Sequence, residues 1–281
     1  MKRFDTELVS RRPLARDYFE LRFQWPWFGP SAGASSGLRN PVPASGLDPN
    51  PIPGPGTFLT IRTGGQYDPV LRRPFALSDY DASRNEAAVI FQKRGRGTTW
   101  LAGLEPGARL DILGPLGKGF SPPPRGSRPV LVAGGIGLGP VLYLARVLAE
   151  QAAAGHCEAP LTVFGFRSVD FVPKSIDFPA STVICTDDGS AGFHGTVLDW
   201  LRSADTGLPP AYYGCGPLPM MAALDRLAGQ RGAPFQAAVE QWMACGIGAC
   251  AGCVVTMKDG SYIKACVDGP VVDGCLVNWE A

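Results

Sequence analysis

The sequence predicts an α/β plus β fold in three parts: an N-terminal β-barrel, a doubly wound α/β domain and a small C-terminal module built mainly from loops. Three observations predict it. Short strand-like segments with turn signals fill the first third of the chain, and strand–helix–strand alternation takes over after the proline-rich SPPPRGSRP, Ser121–Pro129. Near the end, MACGIGACAGC, residues 243–253, gathers three cysteines and three glycines into one short stretch. The boundaries expected are 1–125 for the barrel, 126–234 for the α/β domain and 235–281 for the terminal module.

The barrel strands come first. ELVSRRPLARDYFELRF, within residues 6–23, reads as two short strands around a proline-marked turn, and further strands follow at TFLTIRT (57–63), AAVIFQK (87–93) and RLDILGP (109–115). Between them, residues 28–56 hold seven prolines and six glycines without apolar periodicity. This stretch is expected to be an inserted surface loop with no part in the chemistry.

In the second part, PVLVAGG is a buried-strand run, GPVLYLARVLAEQAAA has helical spacing, and LTVFGFRS and STVICTDD are nearly unbroken apolar strands. Such strands, alternating with helices, are the signature of a parallel sheet. GGIGLGP, residues 134–140, lies at the first strand-to-helix turn, where glycines let backbone N–H groups approach a phosphate. Its glycines at 135, 137 and 139 depart from the G-x-G-x-x-G spacing, and a tight turn packing helix on sheet remains the alternative reading. A second glycine turn, YYGCGPLPM (212–220), also follows a strand and opens a helix. Two such turns on one sheet favour a nucleotide crevice.

Composition narrows the function. The chain has 281 residues, 45% of them hydrophobic and 18% charged, and its 26 lysines and arginines against 25 aspartates and glutamates leave a net charge of +1. No field of one sign exists to draw nucleic acid or an anionic membrane. The N-terminus lacks the apolar core of a signal peptide. The longest apolar stretch, Val130–Ala145, is interrupted by four glycines and a proline and is shorter than the ~20 residues that span a bilayer. A cytoplasmic protein is expected, in which eight cysteines do not form a disulfide framework.

Clustered cysteines then call for a metal. Cys245, Cys250 and Cys253 have the spacing C-x4-C-x2-C, and Cys266 follows after twelve intervening residues, the plant-type pattern of a [2Fe-2S] cluster. Gly246, Gly248 and Gly252 allow a loop to wrap the cluster and aim N–H groups at its sulfurs. A structural zinc is the alternative, but zinc sites generally pair two knuckles and only one occurs here. Cys157, Cys185 and Cys275 stand alone and read as buried hydrophobes. Cys215, in the second glycine turn, lies where a nicotinamide could reach it, with plain packing as the other reading. The only histidines, His156 and His194, and the lack of G-x-S-x-G leave hydrolase chemistry unsupported.

Taken together, MACGIGACAGCVV and CVDGP resemble the cluster-binding C-terminus of dihydroorotate dehydrogenase B electron-transfer subunits, within the ferredoxin reductase superfamily. The likeness extends along the chain. LRRPFALSD (71–79) is similar to that family's flavin-contacting segment, GRGTTWL (95–101) to its G-x-G-T segment, TDDGSAGFHG (186–195) to its T-D-D-G-S stretch, and GCGPLPMM to its C-G-P turn. The resemblance implies a barrel binding FAD, with Arg73, Pro74, Phe75, Ala76, Ile90, Phe91 and Gln92 at the flavin and Gly97 and Thr98 at the pyrophosphate. It implies an α/β domain taking NAD at Gly135, Gly137, Cys215 and Gly216. Cys245, Cys250, Cys253 and Cys266 hold the cluster, and no acid–base catalytic residue is implied. Two departures stand out: Ala76 replaces the usual serine and Gln92 a common arginine, so FAD is expected to be held through backbone contacts.

The implied function is a relay in pyrimidine (UMP) biosynthesis, passing electrons from dihydroorotate oxidation on an FMN-bearing catalytic subunit through the cluster and FAD to NAD, in a heterotetramer of two of each subunit. Another partner, a hydrogenase or ferredoxin-linked complex, would fit the same cofactors. A zinc-knuckle scaffold is the non-enzymatic alternative.

Overall fold

The computed structural model describes residues 1–26, 52–65 and 71–280. Six strands, β1 (Lys2–Ala15), β2 (Tyr18–Gln24), β3 (Phe58–Ile61), β4 (Arg73–Asp81), β5 (Glu86–Gln92) and β6 (Arg109–Leu116), close into a barrel in the order β1-β2-β5-β4-β3-β6. Every neighbouring pair is antiparallel. Alternate side chains fill its interior, among them Leu8, Leu21, Leu59, Ile61, Leu77, Val89, Phe91 and Ile112, and helix α1 (Arg96–Ala102) adds Leu101 and Ala102.

Three details differ from the expectation. The first reversal is not at Pro13: β1 runs through that residue, and the chain turns at Arg16–Asp17, where Asp17 takes φ +59°. Aspartate tolerates this left-handed backbone better than most residues. The strand β4 escapes the alternation rule because it opens on arginine and proline. Of the expected insert, residues 28–51 lie outside the described residues, but 52–56 are not a surface loop. Pro53, Pro55 and Gly56 are buried, Pro55 O accepts from Phe120 N at 2.9 Å, and Pro53 O accepts from Tyr143 Oη at 2.7 Å.

The second domain contains β7 (Arg128–Gly134), α2 (Leu138–Ala153), β8 (Leu161–Phe166), β9 (Thr182–Thr186), β10 (Phe193–His194), α3 (Val197–Ser203), β11 (Pro210–Cys215), α4 (Leu218–Gln230) and β12 (Phe235–Ala238). With β15 (Val271–Asp273) from the C-terminal part, the sheet order is β10-β9-β8-β7-β11-β12-β15. The order in which successive strands are added reverses at β7, which lies between the parallel strands β8 and β11, so the carboxyl ends of β7 and β11 flank the crevice where such sheets bind ligands. The C-terminal part supplies the hairpin β13 (Val254–Thr256) and β14 (Tyr262–Lys264), and β15 (Val271–Asp273) pairs antiparallel with β12. The sheet thus takes in Phe235–Ala238, which the sequence division places with the terminal module. No helix among the described residues is long and apolar enough to cross a membrane.

Helix α2 fastens the two larger parts together. Tyr143 and Val147 enter the barrel core. Asp79 on β4 accepts from Arg22 at 2.6 Å within the barrel and pairs with Arg146 of α2 at 2.7 Å. Asp79→Ala is expected to lower the unfolding free energy in a urea titration by about 2 kcal/mol, below the ~3–5 of a fully buried pair, because Arg146 keeps 37% of its side-chain surface.

Candidate functional site

A cavity of about 270 Å³ opens between the barrel, the sheet and the C-terminal module. Pro74, Phe75 and Ala76 of β4 and Ile90, Phe91 and Gln92 of β5 form its barrel wall, with Thr98 beside them. Ile136, Pro140 and Cys215 face them from the α/β domain, and Val239, Glu240 and Met243 close the third side. Two adjacent antiparallel strands therefore bring the two sequence-predicted groups, 74–76 and 90–92, to one surface. The apolar wall suits a planar aromatic ring system.

Arg73 and Gly97 lie beside this wall. A β-carbon on Gly97 would sit 2.8 Å from Thr63 Oγ1 and 3.2 Å from Arg73 Nε, so glycine lets a backbone segment lie directly against both groups. Thr63 is fully buried and its hydroxyl lacks a partner. Thr63 is out of a ligand's reach beneath Gly97, but Arg73 and the exposed turn of residues 94–96 fit a pyrophosphate. The Thr98 hydroxyl accepts from Arg94 N at 2.9 Å and Gly95 N at 3.0 Å, which holds the turn carrying that backbone.

Two charged groups at the cavity were missed by the sequence reading. Gln92 Oε1 accepts from Arg94 Nε at 2.6 Å, steering Arg94 to the cavity from the residue after the strand. Glu240 follows β12 and faces open cavity surface, yet surrounding protein desolvates its carboxyl and raises its pKa, an effect that Arg94 opposes. The carboxyl-end rule for parallel strands is the signal that could have found Glu240. The thiol of Cys215 is 4% exposed, and burial pushes its pKa well up. It is a protonated, poorly nucleophilic group.

Across the cavity the two glycine turns interlock. A β-carbon on Gly137 would fall 2.2 Å from the Cys215 carbonyl oxygen, and one on Gly216 would fall 2.9 Å from Gly134 N. Gly135 adopts φ +56° beneath the Tyr18 hydroxyl, which reaches over from β2. Backbone therefore packs on backbone at the switch point. Tyr18 is a further residue that local pattern did not single out.

The C-terminal loop brings the four predicted thiols into one chain of contacts. Ile247 N and Cys250 N point at Cys245 Sγ (3.5 and 3.4 Å), Gly248 N at Cys266 Sγ (3.1 Å) and Gly252 N at Cys250 Sγ (3.4 Å). Cys253 Sγ and Cys266 Sγ lie 3.2 Å apart. Gly246 and Gly248, at φ +71° and +83°, make the bends that aim these amides. The amides of Ile247 and Cys250 pull the Cys245 thiol down to about 6, whereas burial, and then Cys253, raise that of Cys266. Among the described residues no three Cys, His, Asp or Glu side chains close on one ion position. Four cysteine thiols with backbone amides already directed at their sulfurs fit a [2Fe-2S] core, in which each iron would take two cysteines. Cys253 and Cys266 are buried, Cys245 is half-buried and Cys250 is exposed.

The interlocked turns lead to a test. Gly137→Ala should weaken NADH binding about tenfold or more in a fluorescence titration, because the new methyl must separate the two turns, while bound flavin stays at the parental level.

Residues 240–278 match the profile of the iron-sulfur cluster binding domain of dihydroorotate dehydrogenase B. The dihydroorotate dehydrogenase B (NAD(+)) electron transfer subunit of Geobacillus thermodenitrificans is 40% identical over 223 residues, covering 77% of this chain and 84% of that protein. The same subunit from Geobacillus sp. (strain WCH70) is 33% identical and covers 96% of each chain. Among solved structures, an NADH-dependent reduced ferredoxin-NADP oxidoreductase superposes with a TM-score of 0.75 at 26% identity, covering 98% of this chain and 90% of that one. The barrel, sheet and cysteine loop agree with these likenesses, and the chain belongs to the family of dihydroorotate dehydrogenase B (NAD(+)) electron transfer subunits.

Proposed function

We propose that this chain relays electrons from dihydroorotate oxidation on an FMN-bearing catalytic subunit to NAD, through a [2Fe-2S] cluster and FAD that it holds itself. The carrying observation is a shared wall. Phe58 lines the cavity that fits the flavin and also packs in the same apolar cluster as Cys253 and Cys266. The cluster accepts single electrons and FAD exchanges either one or two, so together they convert between partner flavin and nicotinamide.

The side chains hold and separate these groups. Pro74, Phe75, Ala76, Ile90 and Phe91 shape the ring site, while Gly97 and Thr98, beside Arg73, receive the pyrophosphate. Arg94, positioned by Gln92, supplies the positive charge that the strand itself lacks at residue 92. Gly135, Gly137 and Gly216 present backbone to NAD at the switch point, with Cys215 as a small buried neighbour. Cys245, Cys250, Cys253 and Cys266 ligate the cluster, and its exposed Cys250 side faces the catalytic subunit in a cytoplasmic complex of two copies of each chain. A second reading keeps these cofactors and changes the partner to a ferredoxin-linked enzyme, supported by the likeness to the NADH-dependent ferredoxin-NADP oxidoreductase.

In the reconstituted complex, Cys250→Ser is expected to abolish the electron paramagnetic resonance signal of the reduced cluster while FAD stays bound. Dye reduction by NADH should persist in that variant, and dihydroorotate-dependent NADH formation should fall to background. Coupling at the parental rate without the cluster signal would overturn the relay. A parental chain that reduces dyes with NADH but accepts no electrons from the catalytic subunit would favour the second reading.

A further inference from the structure

The proposed relay carries a proton requirement that its cofactors leave unmet. NAD accepts a hydride, two electrons with one proton, whereas a [2Fe-2S] cluster passes electrons only. Two electrons arriving from the cluster must therefore be joined at the flavin by one proton from elsewhere. The cavity that fits the flavin is walled mainly by apolar side chains, so this proton needs a carrier.

Among the side chains lining that cavity, only those of Arg94, Cys215 and Glu240 titrate. A guanidinium stays protonated at neutral pH. The Cys215 thiol is 4% exposed and burial pushes its pKa well up, so it releases a proton poorly. The Thr98 hydroxyl is committed to the turn at Gly95, and Ala76 contributes no hydroxyl to the ring wall. Glu240 is the group left, and its position suits the task. It follows β12 directly after the cavity residues Ala238 and Val239, and it is exposed, as are Gln241 and Trp242 beyond it. Its carboxyl thus has access both to solvent, from which it can be reprotonated, and to the flavin cavity. Desolvation by the surrounding protein raises its pKa, and Arg94, just after β5, opposes that shift. The Tyr18 hydroxyl of β2 and the Cys215 thiol of β11 feel its charge in turn. A ring system seated in the cavity displaces water and pushes the carboxyl further the same way. A carboxyl that holds its proton above the ordinary carboxylate range is suited to giving it up near neutral pH.

We propose that Glu240 is the general acid of the relay, giving a proton to the flavin as cluster electrons reach it and regaining one from solvent. The inference rests on the proposed cofactor set. Two electrons from the cluster and one proton from the Glu240 carboxyl make up the hydride that NAD takes. In the reverse direction NADH brings the hydride whole, and the carboxylate accepts the proton as electrons leave. Flavin reduction therefore calls on the acid when it is fed by electrons and not when it is fed by hydride.

The test uses the full chain with FAD and the cluster bound, mixed anaerobically with reduced methyl viologen, a donor of single electrons, or with NADH, while the visible bands of FAD are followed. In Glu240→Gln the electron-fed rate should fall about a hundredfold, with a much smaller change in the NADH-fed rate. The parental electron-fed rate should decline as pH rises through the Glu240 pKa, because the acid acts only while protonated, and the glutamine variant should lack that step. In the parent, D2O should slow the electron-fed reduction and not the NADH-fed one. Apart from turnover, infrared spectra of the oxidised chain should show a carboxyl band that titrates above the ordinary carboxylate range and is absent from Glu240→Gln. A glutamine variant that keeps the parental electron-fed rate, slows equally with both donors or retains the titrating band overturns the proposal, as does a parent whose electron-fed reduction is indifferent to D2O. A parent that holds no FAD or no cluster would defeat the cofactor reading itself, which separates the two failures.

Discussion

The arrangement depends on the two-sided burial of a single four-residue strand. Phe58–Ile61 sends alternate side chains into the barrel and toward the cysteine loop, and all four residues are buried. Burying an apolar side chain of this size contributes about 1.5–3 kcal/mol, so separating either layer from β3 costs several such contacts. The flavin cavity and the cysteine loop thereby meet at one face of this strand, at Phe58, while the other face is locked into the barrel core. Electron transfer between two cofactors needs a fixed, short separation, and close packing supplies it without a dedicated linker.

The same economy applies at the nucleotide crevice. Here the constraint is the absence of side chains: Gly137 against the Cys215 carbonyl and Gly216 against Gly134 bring two strand ends closer than any β-carbon would allow. The barrel reaches this crevice through Tyr18 over Gly135, while Asp79, Arg22 and Arg146 keep helix α2 on the barrel. Ring wall, crevice and cysteine loop then behave as one body in which the cavity walls come from three parts of the chain. The C-terminal part is doubly tied, through β15 on the sheet edge and through a Lys258–Asp225 ion pair at 2.9 Å with α4.

Charge is used sparingly in this body. At the cavity the charged groups are Arg94, just after β5, and Glu240, just after β12, and neither belongs to a segment whose local pattern marks it. Ala76 contributes no hydroxyl to the ring wall, so side-chain polarity at the cavity comes from Gln92, Thr98, Gln241 and these two charged groups. This division suits a chain whose task is to hold redox groups and set their potentials.

The family, the barrel-then-sheet order and the cysteine spacing could be read from the chain because each depends on residues close in sequence. C-x4-C-x2-C encodes a wrapped loop, unbroken apolar strands encode a parallel sheet, and a glycine after a strand encodes a turn. The strand β4 was hidden by its opening Arg73-Pro74, since a strand stabilised by neighbours on both sides needs no alternating pattern of its own. Pro53 to Gly56 read as loop for the same reason, and became wall only where α2 and Phe120 met them. Glu240 and Tyr18 acquired their places from elements dozens of residues away, and Arg94 is aimed by Gln92 only once β5 has joined the cavity wall. Local chemistry names what a segment can bind; which segments share a surface is set by packing, and packing is a property of the whole chain.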